Sequence, residues 1–190
     1  MTNLDTEIFL FLNSLHADWL DPIMVAITNM VIWMPFYLLL VYFTIKQYGI
    51  KSIWIFLGVA FVVLCSDQIS AHVFKPLFQR LRPCHEPCLE GLIHLPKGKA
   101  GGQFGFISSH ATNTFALATF ITYVLKPYYK SIGYFLFVWA LLSSYSRIYV
   151  GVHYPGDIIA GVIVGLLIGW GIWKIFNKLI YQKYVIGSKS

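Results

Sequence analysis

Five apolar runs, each close to the length a helix needs to cross a bilayer, constrain this 190-residue chain more than any other feature. Crossing the hydrocarbon takes about 20 mostly apolar residues in a helix. Runs near 22–45, 53–74, 108–125, 131–150 and 157–176 meet that requirement. Composition points the same way: 57% of the residues are apolar and 12% are charged, where soluble domains are about a quarter charged. The expected fold is therefore all-α, a polytopic membrane helical bundle with about five transmembrane helices. The length suits one domain, and no internal repeat, low-complexity tract or Gly/Ser-rich linker divides it.

Ahead of the first span, residues 5–20 place Ile8, Phe9, Leu12 and Leu15 on one helical face, with Asp5 or Thr6 as the cap. This segment is too short and too polar to span, and reads as an N-terminal interfacial helix. The expected organisation is an interfacial amphipathic helix over 1–21, a single membrane domain over 22–180 and a cytoplasmic tail over 181–190. The opening residues, Met1 to Glu7, are acidic, whereas a secretory signal opens with a basic stretch. Insertion is expected to rest on the spans themselves.

The net charge of +6 does not point to nucleic acid, because no basic stripe with interleaved aromatics is present. The lysines instead flank spans. One side of the bundle carries Lys46, Lys51, Lys126, Lys130, Lys174, Lys178, Lys183 and Lys189; the other carries Lys75, Arg80, Arg82, Lys97, Lys99 and Arg147. Three of that second group belong to a cluster described below, so free positive charge is in excess on the first side. By the positive-inside rule that side is cytoplasmic. The N-terminus and the loops 75–106 and 147–156 then face outward, and the C-terminus inward.

Cys65 lies in an apolar run and reads as an inert core residue. Cys84 and Cys88 share a polar loop with His85; a short disulfide fits an oxidising compartment. A metal site is the weaker reading, since no second ligand cluster accompanies them. Gly161, Gly165 and Gly169 recur at four-residue spacing in the last span, a pattern that lets helices approach closely in lipid.

Three clusters carry chemistry, all at span ends on the same expected face. Lys75 is followed after six residues by Arg82-Pro83; Ser108-Ser109-His110 opens the third span; Ser146-Arg147 is followed by His153 and then Asp157. Lys75, Arg82 and Arg147 would repel one another unless an anion lay between them, and charged groups near the bilayer tend to be functional. A phosphate fits, because guanidinium forks bind its oxygens in pairs and lysine adds a point charge. The start of the third span adds free backbone N–H groups, and the Ser108 hydroxyl can donate another bond. His153 stands four residues before Asp157, whose carboxylate would fix the tautomer and leave the other ring nitrogen as nucleophile. His110 is placed to protonate a departing oxygen as general acid. No metal or cofactor is expected. The other ionisable groups carry milder expectations. His16, His72, His85 and His94 read as solvated or bonded to backbone. Asp67 reads as buried and hydrogen-bonded, with a supporting role near Lys75 open to it. Arg80, Lys97 and Lys99 read as surface charges attracted to lipid headgroups.

These residues resemble the type 2 phosphatidic acid phosphatase superfamily, the lipid phosphate phosphatases, whose signature is K-x6-R-P, then P-S-G-H, then S-R-x5-H-x3-D. Lys75, Arg82 and Pro83 match the first part, Ser108 and His110 the second, and Ser146, Arg147, His153 and Asp157 the third. Ile107 and Ser109 depart from the proline and glycine of the middle motif; Ser109 adds a small side chain to the phosphate cradle. The resemblance covers about residues 22–176. It implies a metal-independent lipid phosphatase with a phosphohistidine on the last-motif histidine, here His153, an all-helical core and a site at the outer face of a bacterial inner membrane. The implied substrate is a membrane lipid phosphate: undecaprenyl diphosphate first, then phosphatidylglycerophosphate, phosphatidic acid or a phosphate of lipid A. A lipid phosphotransferase using the same site is the alternative that shares every motif. A catalytically silent lipid-binding or transport protein is opposed by the intact His110, His153 and Asp157.

Overall fold

A computed structural model describes residues 4–96, 98 and 101–187. Lys97, Lys99 and Lys189 lie outside the described residues. The elements are helical throughout: α1 (Leu4–Ser14), α2 (Asp21–Ile27), α3 (Met34–Tyr48), α4 (Ser52–Gln68), α5 (Lys75–Phe78), α6 (Ser109–Leu125), α7 (Ile132–Tyr149) and α8 (Pro155–Phe176). A wide helical turn, Ile69–Phe74, carries α4 directly into α5, and another, Asn177–Ile186, extends α8. The one bridge of extended backbone among the described residues pairs Leu81 with Phe104.

Among the described residues, two helical stretches are long and apolar enough to cross a membrane, Met30–Phe78 and Pro155–Ile186. The first is broken at Gly49, whose φ of 54° suits a residue without a side chain; there α3 gives way to α4. The first expected span is also interrupted: α2 ends at Ile27 and α3 begins at Met34, with a tight 3-10 turn, Met30–Trp33, between them. Asn29 caps that turn by accepting from the Val31 N–H at 3.0 Å. α6 and α7 carry more serine and threonine, and α6 is the central helix, with most of its residues buried against α8, α7 and α4. The exposed apolar faces belong to the outer helices, for example Leu38, Leu57, Ile159 and Leu167, as expected of surfaces that meet lipid.

The glycine stripe sets the α6–α8 distance. A methyl group at Gly161, Gly165 or Gly169 would stand 2.9, 2.5 and 2.5 Å from the backbone oxygens of Ser108, Thr112 and Ala116. The packing role expected from the sequence therefore holds, and it registers the start of α6 against the start of α8. At the lysine-bearing end, Tyr48 donates or accepts at 2.6 Å with Tyr181 and reaches the Val124 carbonyl at 2.6 Å. Tyr181 and Val185 are buried there, so the helical extension of α8 runs through the segment assigned to a tail as far as Ile186. Lys46, Lys51, Lys126 and Lys174 cluster at this end, while Lys75, Arg80, Arg82 and Arg147 occupy the other, the separation read from the sequence.

Only part of the apolar face read from the sequence of α1 packs on the bundle. Phe9 and Asn13 are buried, whereas Ile8, Phe11 and Leu15 are exposed. The reason is polar: Asn13 donates to the carbonyls of His94 and Tyr149 at 3.1 and 2.9 Å and accepts from the His94 N–H at 2.7 Å. Those bonds rotate α1 so that Leu4, Phe11 and Leu15 face outward as an apolar strip. Cys65 is half-buried on α4 and not in the core, and no disulfide joins Cys84 to Cys88. Cys84 is buried while Cys88 is exposed and donates toward Glu86 at 3.7 Å, so the loop closes without a bridge.

The close approach of α6 and α8 makes a testable contrast. Gly165→Ala should destabilise the detergent-solubilised protein by about 1–3 kcal/mol through overpacking. Gly171→Ala, with open space around it, should be neutral or gain up to about 1 kcal/mol from helix propensity. Thermal unfolding of the two variants side by side checks the order.

Candidate active site

Three helix ends and one loop converge at the end of the bundle opposite the lysine-rich one. The first turn of α6 brings Ser108, Ser109 and His110, and Ser108 caps it by accepting from the Ala111 N–H at 3.4 Å. Ile107, where the resembled family has proline, is fully buried and anchors the chain just before this cap. The last turn of α7 brings Arg147. The first turn of α8 brings Asp157, with Pro155 at the position where a missing N–H costs nothing. The Ser108 N–H donates to the Asp157 carbonyl at 3.1 Å, which ties the starts of α6 and α8 together.

Asp157 is fully buried and His153 is 2% exposed. The carboxylate caps its own helix, since Oδ2 accepts from the Tyr154 N–H at 3.0 Å. The same oxygen lies 3.3 Å from His153 Nδ1. On the other side of the ring, His153 Nε2 is 3.3 Å from Arg82 Nη1. A guanidinium can only donate, so Nε2 must carry the lone pair and the ring proton must sit on Nδ1, facing Asp157. The geometry thus assigns the tautomer. The turn carrying Pro155 and Gly156 brings this pair together, as the four-residue spacing anticipated.

Burial holds the His153 imidazole well below the usual histidine range, and the nearby charges of Arg82, Arg147 and Lys75, with His110, push in the same direction. The ring is therefore neutral near pH 7. Burial likewise lowers the Arg82 guanidinium.

The cations are held by neutral groups. Lys75 donates to Ser109 Oγ at 2.8 Å, so the hydroxyl that replaces the family's glycine engages the ammonium. Arg82 is 6% exposed; its Nε donates to the Phe104 carbonyl at 3.3 Å. Its backbone is clamped by bonds from Arg82 N–H to Gln103 and from Gly105 N–H to Arg80. Arg147 Nη1 donates to Thr28 Oγ1 at 2.6 Å, while its buried Nε has no partner. A buried, unsatisfied guanidinium N–H beside two further cations is the structural signature of a place for an anion. His110 Nε2 lies 2.8 Å from Ser143 Oγ. Beyond it, a cleft of about 310 Å³ runs along α6 between α3 and α4, with His110 and Asn113 at one end and Leu40, Val59, Leu117 and Ile121 along its walls.

Lys75, Arg82, Ser108, Ser109, His110, Arg147, His153 and Asp157 all lie at this end of the bundle. Sequence reasoning missed Thr28 and Ser143, whose partners come from other helices. It also misplaced two groups. Arg80 is not a free surface charge: it donates to Asp157 Oδ1 at 3.0 Å and to Asp5 Oδ2 at 2.7 Å. His94 is not merely solvated or backbone-bound: its Nε2 lies 2.9 Å from Asp21, and its ring stacks on His16 with centroids 3.8 Å apart. Asp67 is half-buried and lies 3.5 Å from the Asn113 amide that donates to it.

Residues 53–181 match the family profile of the PAP2 superfamily. The chain is 37% identical over 181 residues to a lipid A 4'-phosphatase of Bacteroides thetaiotaomicron, covering 94% of this chain and 80% of that one. It is 33% identical over 175 residues to the lipid A 4'-phosphatase of Porphyromonas gingivalis, covering 90% and 72%. In fold it resembles the crystal structure of a transmembrane PAP2 type phosphatidylglycerolphosphate phosphatase from Bacillus subtilis, with a TM-score of 0.70 at 23% identity over 94% of this chain and 89% of that one.

The charge environment predicts a titration. In an NMR titration of the detergent-solubilised protein, the His153 ring should stay neutral, protonated on Nδ1, below about pH 6.5, the ordinary histidine value. Inorganic phosphate should move its titration upward, because the anion offsets the three cations that oppose the imidazolium. A titration at or above the ordinary value in phosphate-free buffer would contradict the arrangement.

Proposed function

The chain belongs to the PAP2 superfamily, and on that premise we propose that it hydrolyses the phosphate of a membrane lipid through a phosphohistidine formed on His153. In class it is a phosphoric ester hydrolase. The observation that carries the reading is the neutral His153: its lone pair lies on Nε2, Asp157 holds Nδ1, and Arg82 stands over the nucleophilic nitrogen within a set of buried cations.

The substrate phosphate takes its place among Lys75, Arg82 and Arg147 and satisfies the free Nε of Arg147. Arg82 then exchanges Nε2 for a phosphate oxygen, which uncovers the lone pair. Nε2 attacks phosphorus while the bond to the lipid oxygen breaks, and His110, protonated beside the bound anion, gives its proton to that oxygen. Asp157 stabilises the positive charge that develops on the imidazole. Water next attacks the phosphorus–nitrogen bond and passes a proton to His110, returning neutral His153 and inorganic phosphate. The cations and the N–H groups of α6 stabilise charge on the transferring group in both steps. This assigns catalysis to His153, His110 and Asp157, and phosphate binding to Lys75, Arg82, Ser108, Ser109 and Arg147, with no metal.

The two relatives described above, more than 30% identical over 94% and 90% of this chain, act, by name, on lipid A. That support moves a phosphate of lipid A ahead of undecaprenyl diphosphate, the first expectation from the sequence. The apolar cleft that ends at His110 supports a substrate whose departing oxygen is attached to a hydrocarbon-bearing group. The lysine excess at the opposite end supports a site on the outer face of a bacterial inner membrane, with the C-terminus inside.

Purified protein in detergent with EDTA, given lipid A, undecaprenyl diphosphate, phosphatidylglycerophosphate and phosphatidic acid, should release phosphate, fastest from lipid A. His153→Ala should lower the rate by about a thousandfold or more, and Asp157→Asn by up to about ten-thousandfold. Loss of activity with EDTA, restored by Mg²⁺, would replace the mechanism with a metal-assisted one. Orientation is checked at the exposed Cys88: in a variant lacking Cys65 and Cys84, an impermeant maleimide should label intact cells from outside. Labelling confined to inverted vesicles would reverse the topology.

A further inference from the structure

We propose that Arg80 is a positioning residue for the Asp157–His153 pair, and that Asp5 of the N-terminal helix α1 is the group that holds Arg80 in place. The proposal rests on the assignment of His153 and Asp157 made above and adds α1 to the working parts of the site.

Asp157 has two carboxylate oxygens to fix. Oδ2 is shared between the His153 ring and the Tyr154 N–H. Oδ1 is held by Arg80 Nη1 at 3.0 Å. Without that bond the carboxylate would be anchored through one oxygen only, free to rotate about its last torsion and carry Oδ2 off the line to Nδ1. Arg80 is fixed in turn from three directions. Its Nη2 pairs with Asp5 Oδ2 at 2.7 Å, its guanidinium lies 4.0 Å from the centre of the Tyr154 ring, and its own carbonyl accepts from Gly105 N–H in the clamp that also seats Arg82. The guanidinium thus spans two carboxylates with different nitrogens, which a lysine ammonium would do with poorer geometry.

Asp5 makes a second contact. Its Oδ1 accepts from the Gly156 N–H at 2.8 Å, one of the first-turn donors of α8 that have no partner within the helix. A carboxylate from α1 therefore caps the helix that carries Asp157 and pairs with the arginine that orients Asp157. Packing at both ends holds α1 where Asp5 can reach these partners. Phe9 lies edge-on against Tyr154 with ring centres 5.4 Å apart, and Asn13 locks the far end of α1 to α7. The side chains of Arg80 and Asp5 are 28% and 25% exposed, so the bridge lies at the rim, above the buried dyad and outside the cation cradle. It can orient the carboxylate without competing for phosphate.

A positioning role predicts a split between kinetic constants. With full-length protein and the best lipid phosphate, Arg80→Gln should lower kcat by about 10- to 100-fold, the range expected from a small misplacement of catalytic groups, and leave KM within about twofold. Arg80→Lys should recover part of the loss. Asp5→Asn keeps an acceptor for Gly156 N–H but removes the ion pair; it should lower kcat by a smaller factor. The Asp5→Asn/Arg80→Gln double variant should be no slower than Arg80→Gln alone, because the two act as a unit. Wild-type kcat in both single variants would overturn the proposal. So would a loss confined to KM, or an Arg80→Lys no better than Arg80→Gln in proteins of equal thermal stability. If Arg80→Gln does not fold, Asp5→Asn and Arg80→Lys decide the matter by the same split. His153→Ala runs beside them: activity surviving in that variant would remove the underlying site assignment, whereas an inactive His153→Ala with unimpaired Arg80 and Asp5 variants would remove only the positioning role.

Discussion

The structure depends on holding several cations together, mostly out of water, at one end of a bundle that is otherwise apolar. Lys75, Arg82 and Arg147 are bonded to a hydroxyl, a carbonyl, an imidazole and a threonine, and one guanidinium N–H of Arg147 is buried without a partner. Each neutral contact orients a cation without discharging it. Desolvated charge of one sign raises the free energy of the protein, and on the proposed function that unfavourable energy is recovered when a phosphate enters. The rest of the molecule supplies the rigidity that keeps the cations from relaxing apart: the glycine-spaced contact of α6 with α8, the clamp of residues 80–82 on 103–105, and the locked position of α1.

Helix direction contributes as much as side chains. The N-termini of α6 and α8 both end at the site, and their unpaired N–H groups favour negative charge there. Asp157 and Asp5 take advantage of this at α8, one as part of its helix and one from a different helix. At α6 the corresponding donors are left for the anion. The antiparallel course of the bundle sends the lysines to the opposite end, so the separation of charge along the bundle and the placement of the site at one end arise from one topology.

The proposed catalytic constellation could be read from the sequence because its spacing is short and its chemistry is unusual in an apolar chain. His153 and Asp157 meet through a single turn, and Lys75 with Arg82 flanks one small helix. What was not legible depends on contacts across the chain. Asp5 and Arg80 are separated by 75 positions, and nothing in either neighbourhood distinguishes that arginine from a surface charge until the fold brings α1 over the start of α8. The same holds for Thr28 under Arg147 and for Asp21 beside His94. The hydrophobic pattern of α1 did not reveal which of its residues pack on the bundle, because Asn13, a polar residue, determines the rotation of the helix. The helical extension to Ile186 was likewise concealed by the lysines interspersed with Tyr181 and Val185, which are buried only because Tyr48 receives them.

The demand on His153 shows why the cations and the dyad must be considered together. A nucleophilic nitrogen has to be neutral, yet a carboxylate four residues away would by itself favour the imidazolium. Burial and the surrounding cations oppose that effect, and in the empty site they prevail. Asp157 can therefore be placed close enough to fix the tautomer without protonating the nucleophile. In the proposed reaction the charge of the phosphate offsets the cations, and the balance moves toward the imidazolium just as phosphorus bonds to Nε2 and positive charge develops on the ring. On that proposal, substrate binding itself changes the site from one that keeps the nucleophile neutral to one that stabilises its charged product.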